Sequence, residues 1–232
     1  MPIDIREFVG QNRYPGRVIG FRSTQPGQLE SIVMLTGRSH ASKARVLDPA
    51  RHGTTMLRAR ATTVDPHDEL RHYPAVVADT DGIVIANGDH SVPLHTSLGA
   101  GSLDDQIAAT RYEPDPPINT SRLAVTFDLR LGRIVASINA ASSTDHYAEP
   151  VLARLDAAGG SIGDWILMST YQSDGTTIEP NYHFTRIEFG SADPLAELWD
   201  ATDPRFRVAA ASILFDNGTT TVRTLPPAVA AI

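Results

Sequence analysis

The sequence predicts a single α+β domain spanning residues 1–232, rich in antiparallel sheet, with helices covering the outer faces. Three observations predict it. Apolar and polar residues alternate through most of the chain, the two-residue period of half-buried strands. Turn-forming pairs separate these runs at hairpin spacing. Helical patterns are few, and no internal repeat, low-complexity tract or long linker divides the chain.

Taken in order, GRVIGFRS (16–23) and ESIVMLTG (30–37) flank the turn-forming STQPGQ and predict a hairpin. TTMLRARATTV (54–64) alternates clearly. AVVADTDGIVIANG (75–88) reads as two short strands joined at DTDG, where Asp81-Gly82 favours a tight reversal. SRLAVTFDLRLGRIVASIN (121–139) is another hairpin, turning near Leu131-Gly132. DWILMSTY (164–171), FTRIEFG (184–190), RVAAASILF (207–215) and TTTVRTL (219–225) complete the strands, with an Asn217-Gly218 turn between the last two. Helices are expected over SLDDQIAATRY (102–112), with Ser102 as N-cap, and over EPVLARLDAAGG (149–160), with Pro150 in its first turn and two closing glycines. DPLAELWDA (193–201) is the third.

Hydrophobic residues at 41% and charged residues at 20% suffice for an ordinary globular core. The net charge of −7 does not draw a phosphate backbone over long range, so nucleic acid is disfavoured as a partner. Local arginine clusters can still hold a small anion. The lack of cysteine excludes disulfides, cysteine nucleophiles, thiolate zinc sites and iron–sulfur clusters, and agrees with a cytoplasmic location. MPIDIREFVG lacks the basic and apolar regions of a signal peptide, and the longest apolar run, 208–215, is too short to span a bilayer. A homo-oligomer is left open.

Several fragments fail as chemical motifs. The histidines of HDELRH (67–72) are five apart, not the four that would place both on one helix face for zinc, so no metal site is expected. DTDG (79–82) lacks the later glutamate of a calcium loop. GAGS (99–102) is a lone glycine pair before a helix. Asp89-His90 and Asp145-His146 have no accompanying serine elbow. Four polar constellations remain: RYPGRVIG (13–20), TGRSHASKAR (36–45), ANGDH (86–90) and RYEPDPPINTSR (111–122). The last is stiffened by three prolines and holds almost nothing that fills a core. It is either a surface linker or a rigid loop presenting side chains to a ligand.

In this order, and followed by Ser169-Thr170-Tyr171, these stretches resemble the archaeal-type IMP cyclohydrolase family over about residues 13–216. The most specific part is a YE-x-D-x-x-x-N-T-x-R pattern, met by Tyr112, Glu113, Asp115, Asn119, Thr120 and Arg122. The resemblance implies a four-layer αββα sandwich of antiparallel sheets, similar to N-terminal-nucleophile hydrolases. The chain starts Met-Pro and has no cysteine, so that hydrolase chemistry is not expected. The implied reaction closes the purine ring of 5-formamidoimidazole-4-carboxamide ribonucleotide (FAICAR) to IMP with loss of water. It needs no metal, nucleotide or redox cofactor.

The residues sort by the demands of that reaction. Arg17, Arg38, Ser39 and Arg45 suit the 5′-phosphate. Asn87 and Asn119 match the carboxamide in donors and acceptors. Arg122 joins them as a substrate contact. Glu113 is the candidate general acid/base, with Tyr112 and Tyr73 as donors to the formyl oxygen or as stacking partners. The HASK stretch (40–43) departs from the family's asparagine-rich loop, which leaves open a cyclohydrolase acting on a related nucleotide in specialised metabolism. A purine-nucleotide-binding protein without catalysis is the alternative of a different class.

Overall fold

The structure, a computed structural model, describes residues 1–62, 71–115, 118–143 and 148–226. His67 of the HDELRH fragment, Pro116 and Pro117 of the polar loop, and the Asp145-His146 pair lie outside the described residues.

Two seven-stranded sheets form the body. In spatial order the first contains β1 (Ile3–Asp4), β14 (Thr185–Glu188), β11 (Ile162–Ser169), β2 (Arg17–Ser23), β3 (Gln28–Thr36), β15 (Arg207–Asp216) and β16 (Thr219–Leu225). The second contains β10 (Pro150–Ala158), β9 (Arg133–Ala141), β8 (Arg122–Asp128), β7 (Gly82–Ala86), β6 (Tyr73–Ala78), β5 (Thr55–Ala61) and β4 (Arg45–His52). Neighbours are antiparallel except β1 and β14. A small ribbon, β12 (Tyr171–Gln172) with β13 (Glu179–Pro180), continues from β11.

Period-two alternation places one side-chain set of each sheet in a shared core. Phe21, Val33, Met168 and Phe215 from the first sheet meet Leu57, Ile85, Val125 and Phe127 from the second. Phe127 and Phe215 pack edge to face with centroids 5.9 Å apart. The opposite set on the first sheet, including Val18, Ile32 and Leu167, is covered by α1 (Ile5–Gln11) and α5 (Pro194–Ala201). On the second sheet Val84, Ala124 and Val135 are covered by α3 (Ser91–Ser97) and α4 (Leu103–Ala109). A single turn, α2 (His40–Lys43), completes the helices among the described residues. None of these is long and apolar enough to cross a membrane.

The hairpins fall where the turn signals place them. Asn217 and Gly218 both have positive φ, +47 and +85, the conformation that Asn-Gly supplies at low cost in a two-residue hairpin. The predicted helix over 149–160 is corrected: it is strand β10, in unbroken register with β9. Leu, Ala and Arg have helical propensity, but Ala153, Leu155 and Ala157 at period two all reach the sandwich core. The helix at 102–112 is shorter than predicted, and Ser102 makes no side-chain cap.

Candidate active site

At one end of the sandwich, residues from both sheets close round a cavity of about 350 Å³. Its first wall starts where Tyr14, Pro15 and Gly16 lead into β2. Gly16 has φ +73, and a Cβ there would lie 2.1 Å from Thr170 Oγ1, so only glycine lets the chain pass. The approach is fixed from both sides. Thr36 donates to Gly16 O through its N–H (2.9 Å) and its hydroxyl (2.7 Å), and the Arg17 N–H donates to Thr170 Oγ1 (3.1 Å). Arg17 thus points into the end of the sandwich from a strand held on both edges.

The second wall is the loop 36–45. Ser39 caps α2, accepting from the Ser42 N–H at 3.1 Å. Arg45 donates to Ser42 O (2.9 Å) and Thr36 O (2.7 Å), folding the loop back on β3. Arg38 lies over the Tyr14 ring, 4.8 Å from its centroid, with its head exposed at the rim.

The third wall is the polar loop ahead of β8, and it is knotted on itself. Glu113 and Thr120 are joined main chain to main chain at 2.8 Å. Asp115 accepts from the Thr120 N–H (2.7 Å) and the Thr120 hydroxyl (2.6 Å). Thr120 in turn lies 2.6 Å from the Tyr171 hydroxyl. A carboxylate only accepts, so with Asp115 ionised the Thr120 proton goes to Asp115 and Tyr171 donates to Thr120. The described residues Glu113, Asp115 and Thr120 are thus bonded to one another and form a wall of the cavity.

Arg17 and Glu113 form a buried ion pair on the cavity floor. Burial opposes the Arg17 charge, but the Glu113 carboxylate beside it and the nearby tyrosines overcome that and raise its pKa. Burial pushes the Glu113 carboxyl above its usual range, with Arg17 opposing. Burial and the neighbouring Arg17 push the Arg45 guanidinium down, and burial pushes the Tyr171 hydroxyl up to about 12. Arg17, Arg38, Arg45 and Arg71 line the cavity against Glu113 and Asp115, so the local balance is cationic although the chain is acidic. A pocket of this kind favours a compact anion with a polar body.

Five of the expected site residues meet here: Arg17, Arg38, Ser39, Arg45 and Glu113. The others are placed elsewhere. The Tyr112 hydroxyl donates to Ala148 O at 3.0 Å, and the residue lines a separate surface hollow with Arg122. Tyr73 is buried behind the floor, its ring 5.8 Å from the Arg17 guanidinium. Asn87 donates to Ser121 O (2.9 Å) and accepts from the Leu123 N–H (2.7 Å), which pins the lead-in to β8. Asn119 is buried at φ +54, where the loop reverses. Arg122 pairs with Asp89 and lies 3.1 Å from His90 Nδ1.

Sequence reasoning passed over Tyr14, Ser42, Arg71, Asp115, Thr120, Thr170 and Tyr171, all of which line the cavity. All but Arg71 lie within the stretches that carry the resemblance; Arg71 belongs to the HDELRH fragment, which was set aside. Asp115 and Thr120 stand in the most specific pattern, and that membership was the available signal. Among the described residues no three His, Asp or Glu side chains cluster as a metal site. No protein-family model matches the sequence, and no curated protein matches it with significance.

Proposed function

We propose that the protein is an IMP cyclohydrolase, which closes FAICAR to IMP with loss of water. One observation carries this reading. Four of the five stretches that resemble the family, around residues 13–17, 36–45, 113–120 and 169–171, are far apart in the chain, yet their side chains line one cavity, while ANGDH (86–90) stays outside it. The paired antiparallel sheets with helices outside also fit the αββα sandwich of N-terminal-nucleophile hydrolases that the reading carries.

The chemistry follows from the groups on the floor. Both reacting groups belong to one molecule, so holding them together removes most of the entropic barrier. The carboxamide nitrogen attacks the formyl carbon and its proton passes to the Glu113 carboxylate. The formyl oxygen gains charge against the Arg17 guanidinium, and Glu113 returns the carboxamide proton to it, making a hydroxyl. The second proton, from the former formamide N–H, then passes through Glu113 to that hydroxyl, which leaves as water as the C–N double bond forms on that nitrogen. A carboxyl with a raised pKa suits both halves of this cycle. Arg38, Ser39, Ser42 and Arg71 at the rim are the partners for the 5′-phosphate.

The test is to mix chelator-treated protein with FAICAR and follow the ultraviolet change of purine formation. Turnover well above the uncatalysed rate is expected. Glu113→Gln should slow it about a hundredfold or more while AICAR and IMP still bind. Tight binding of AICAR or IMP without turnover would leave a related nucleotide or a non-catalytic binder. The absence of both binding and turnover would overturn the reading.

A further inference from the structure

The sandwich has four sheet edges, and three of them are protected. β1 is only two residues long. β4 carries Pro49 in its body and loses register between Pro49 and His52. β16 lies against β4 of the opposite sheet, so these two edges cover one another. Among the described residues β10 has neither a bulge nor a covering strand, and its one proline, Pro150, is its first residue. It runs for nine residues, Pro150–Ala158, in continuous register with β9, and among the described residues no strand pairs with its other side. Leu152, on its outer face, is 44% exposed.

The open side of β10 can be read from its parity. The Ser142 N–H donates to Glu149 O at 2.8 Å, so Glu149 and every second residue after it turn their main chain towards β9. Leu152, Arg154, Asp156 and Ala158 therefore turn their N–H and C=O groups outward. Pro150 falls in the outward set, where its missing N–H costs no ladder bond.

The sequence along this edge is self-complementary. About Leu155 it reads Ala153-Arg154-Leu155-Asp156-Ala157, with alanine mirrored by alanine and arginine by aspartate. We infer that β10 is a dimerisation edge: two copies of this chain pair β10 to β10, antiparallel, about a two-fold axis through Leu155. Arg154 then stands opposite Asp156 of the partner subunit, both with outward main chain, and Leu152 opposite Ala158 of the partner subunit. That register forms about eight inter-chain N–H···O=C bonds, because paired outward residues exchange two each.

The charge pattern selects this register. Sliding it by two residues sets Arg154 against Arg154 of the partner subunit, or Asp156 against Asp156 of the partner subunit. A one-residue slip is barred by the pleat. On the core side Ala153, Leu155 and Ala157 already pack on the sandwich interior, so Leu155 meeting its mate extends the core across the axis. On the outer face Arg154 and Asp156 already form a network with Arg133 and Asp104, with contacts of 2.6–3.1 Å among them. Pairing gives each Asp156 a further guanidinium from across the axis.

Sedimentation equilibrium over the micromolar range should show a monomer–dimer equilibrium for the wild-type chain. Arg154→Asp sets acid against acid and should weaken it by about tenfold or more. Arg154→Asp combined with Asp156→Arg restores the complement and should restore the dimer. Because the chain has no cysteine, Leu155→Cys gives an independent readout. Mild oxidation should join its copies by a disulfide across the axis, whereas Ala153→Cys, whose mates stand about four residues apart along the strand, should cross-link far more slowly. The cysteine pair decides the matter if the charge variants fail to fold. A monomeric wild-type chain would overturn the proposal. So would equal cross-linking of the two cysteine variants, or a dimer unaffected by Arg154→Asp.

Discussion

His90 shows how one side chain reports its surroundings. It is buried, its Nε2 lies 3.1 Å from Leu123 O, and its Nδ1 faces the Arg122 guanidinium. A guanidinium only donates, so Nδ1 accepts from it, Nε2 carries the proton and donates to Leu123 O, and the ring is neutral. Burial, then the Arg122 charge, push its pKa from 6.5 down to about 3. The unfolded chain therefore binds a proton between these values that the folded chain refuses. The stability this group provides is present above pH 6.5 and is lost as pH falls towards 3. Between pH 7 and pH 5 the loss is about 2 kcal/mol. Glu113, raised by burial, acts in the opposite sense, stabilising the fold as pH falls towards 4.5. The gap between wild type and His90→Gln isolates the histidine: in urea melts it should shrink by about 2 kcal/mol from pH 7 to pH 5. A constant gap would mean that His90 titrates alike in both states.

At the scale of elements, α5 shows what a local signal achieves. Asp193 accepts from the Ala196 N–H at 3.1 Å, Pro194 opens the first turn, and Arg223 of β16 grips the same carboxylate. Asp193→Ala should cost about 1 kcal/mol in chemical denaturation, because the exposed Arg223 pair adds little to the lost cap. This helix was legible in the sequence because its cap, proline and apolar stripe agree. The β15–β16 hairpin was legible for the same kind of reason, through Asn217-Gly218 and clean alternation. β10 was misread because its residues favour a helix and the edge pairing that overrides them is non-local. α1 was missed although Asp4 accepts from the Arg6 N–H at 2.7 Å and Glu7 follows three residues after it, a cap signal hidden at the chain's start. β4 was missed because Pro49 and its charges do not look like a strand. The site was legible by segment and less so by residue. Motif membership located the walls, but which side chains turn inward depends on register and loop closure. Tyr112 and Glu113 are adjacent in sequence, yet only Glu113 reaches the cavity.

At the scale of the whole molecule, the cavity is where the two sheets are tied. Arg17 comes from the first sheet and Glu113 from the lead-in to the second, and Tyr171 meets Thr120 across the same gap. Burying an ion pair costs desolvation on both partners, and an apolar pair of similar size usually holds a core as well or better. Fold stability alone thus gives little reason for Arg17 and Glu113, whereas the anion-binding, proton-transferring floor of the proposed function would. The two explanations separate in a double-mutant cycle. Arg17→Met alone leaves a lone buried carboxyl and should cost about 3–5 kcal/mol, nearer the lower figure because Glu113 can take up a proton. Arg17→Met with Glu113→Leu should return to within about 1 kcal/mol of wild type in urea denaturation while losing AICAR and IMP binding. A double variant as unstable as the sum of its parts would instead make the pair a strap between the sheets, and its chemistry incidental.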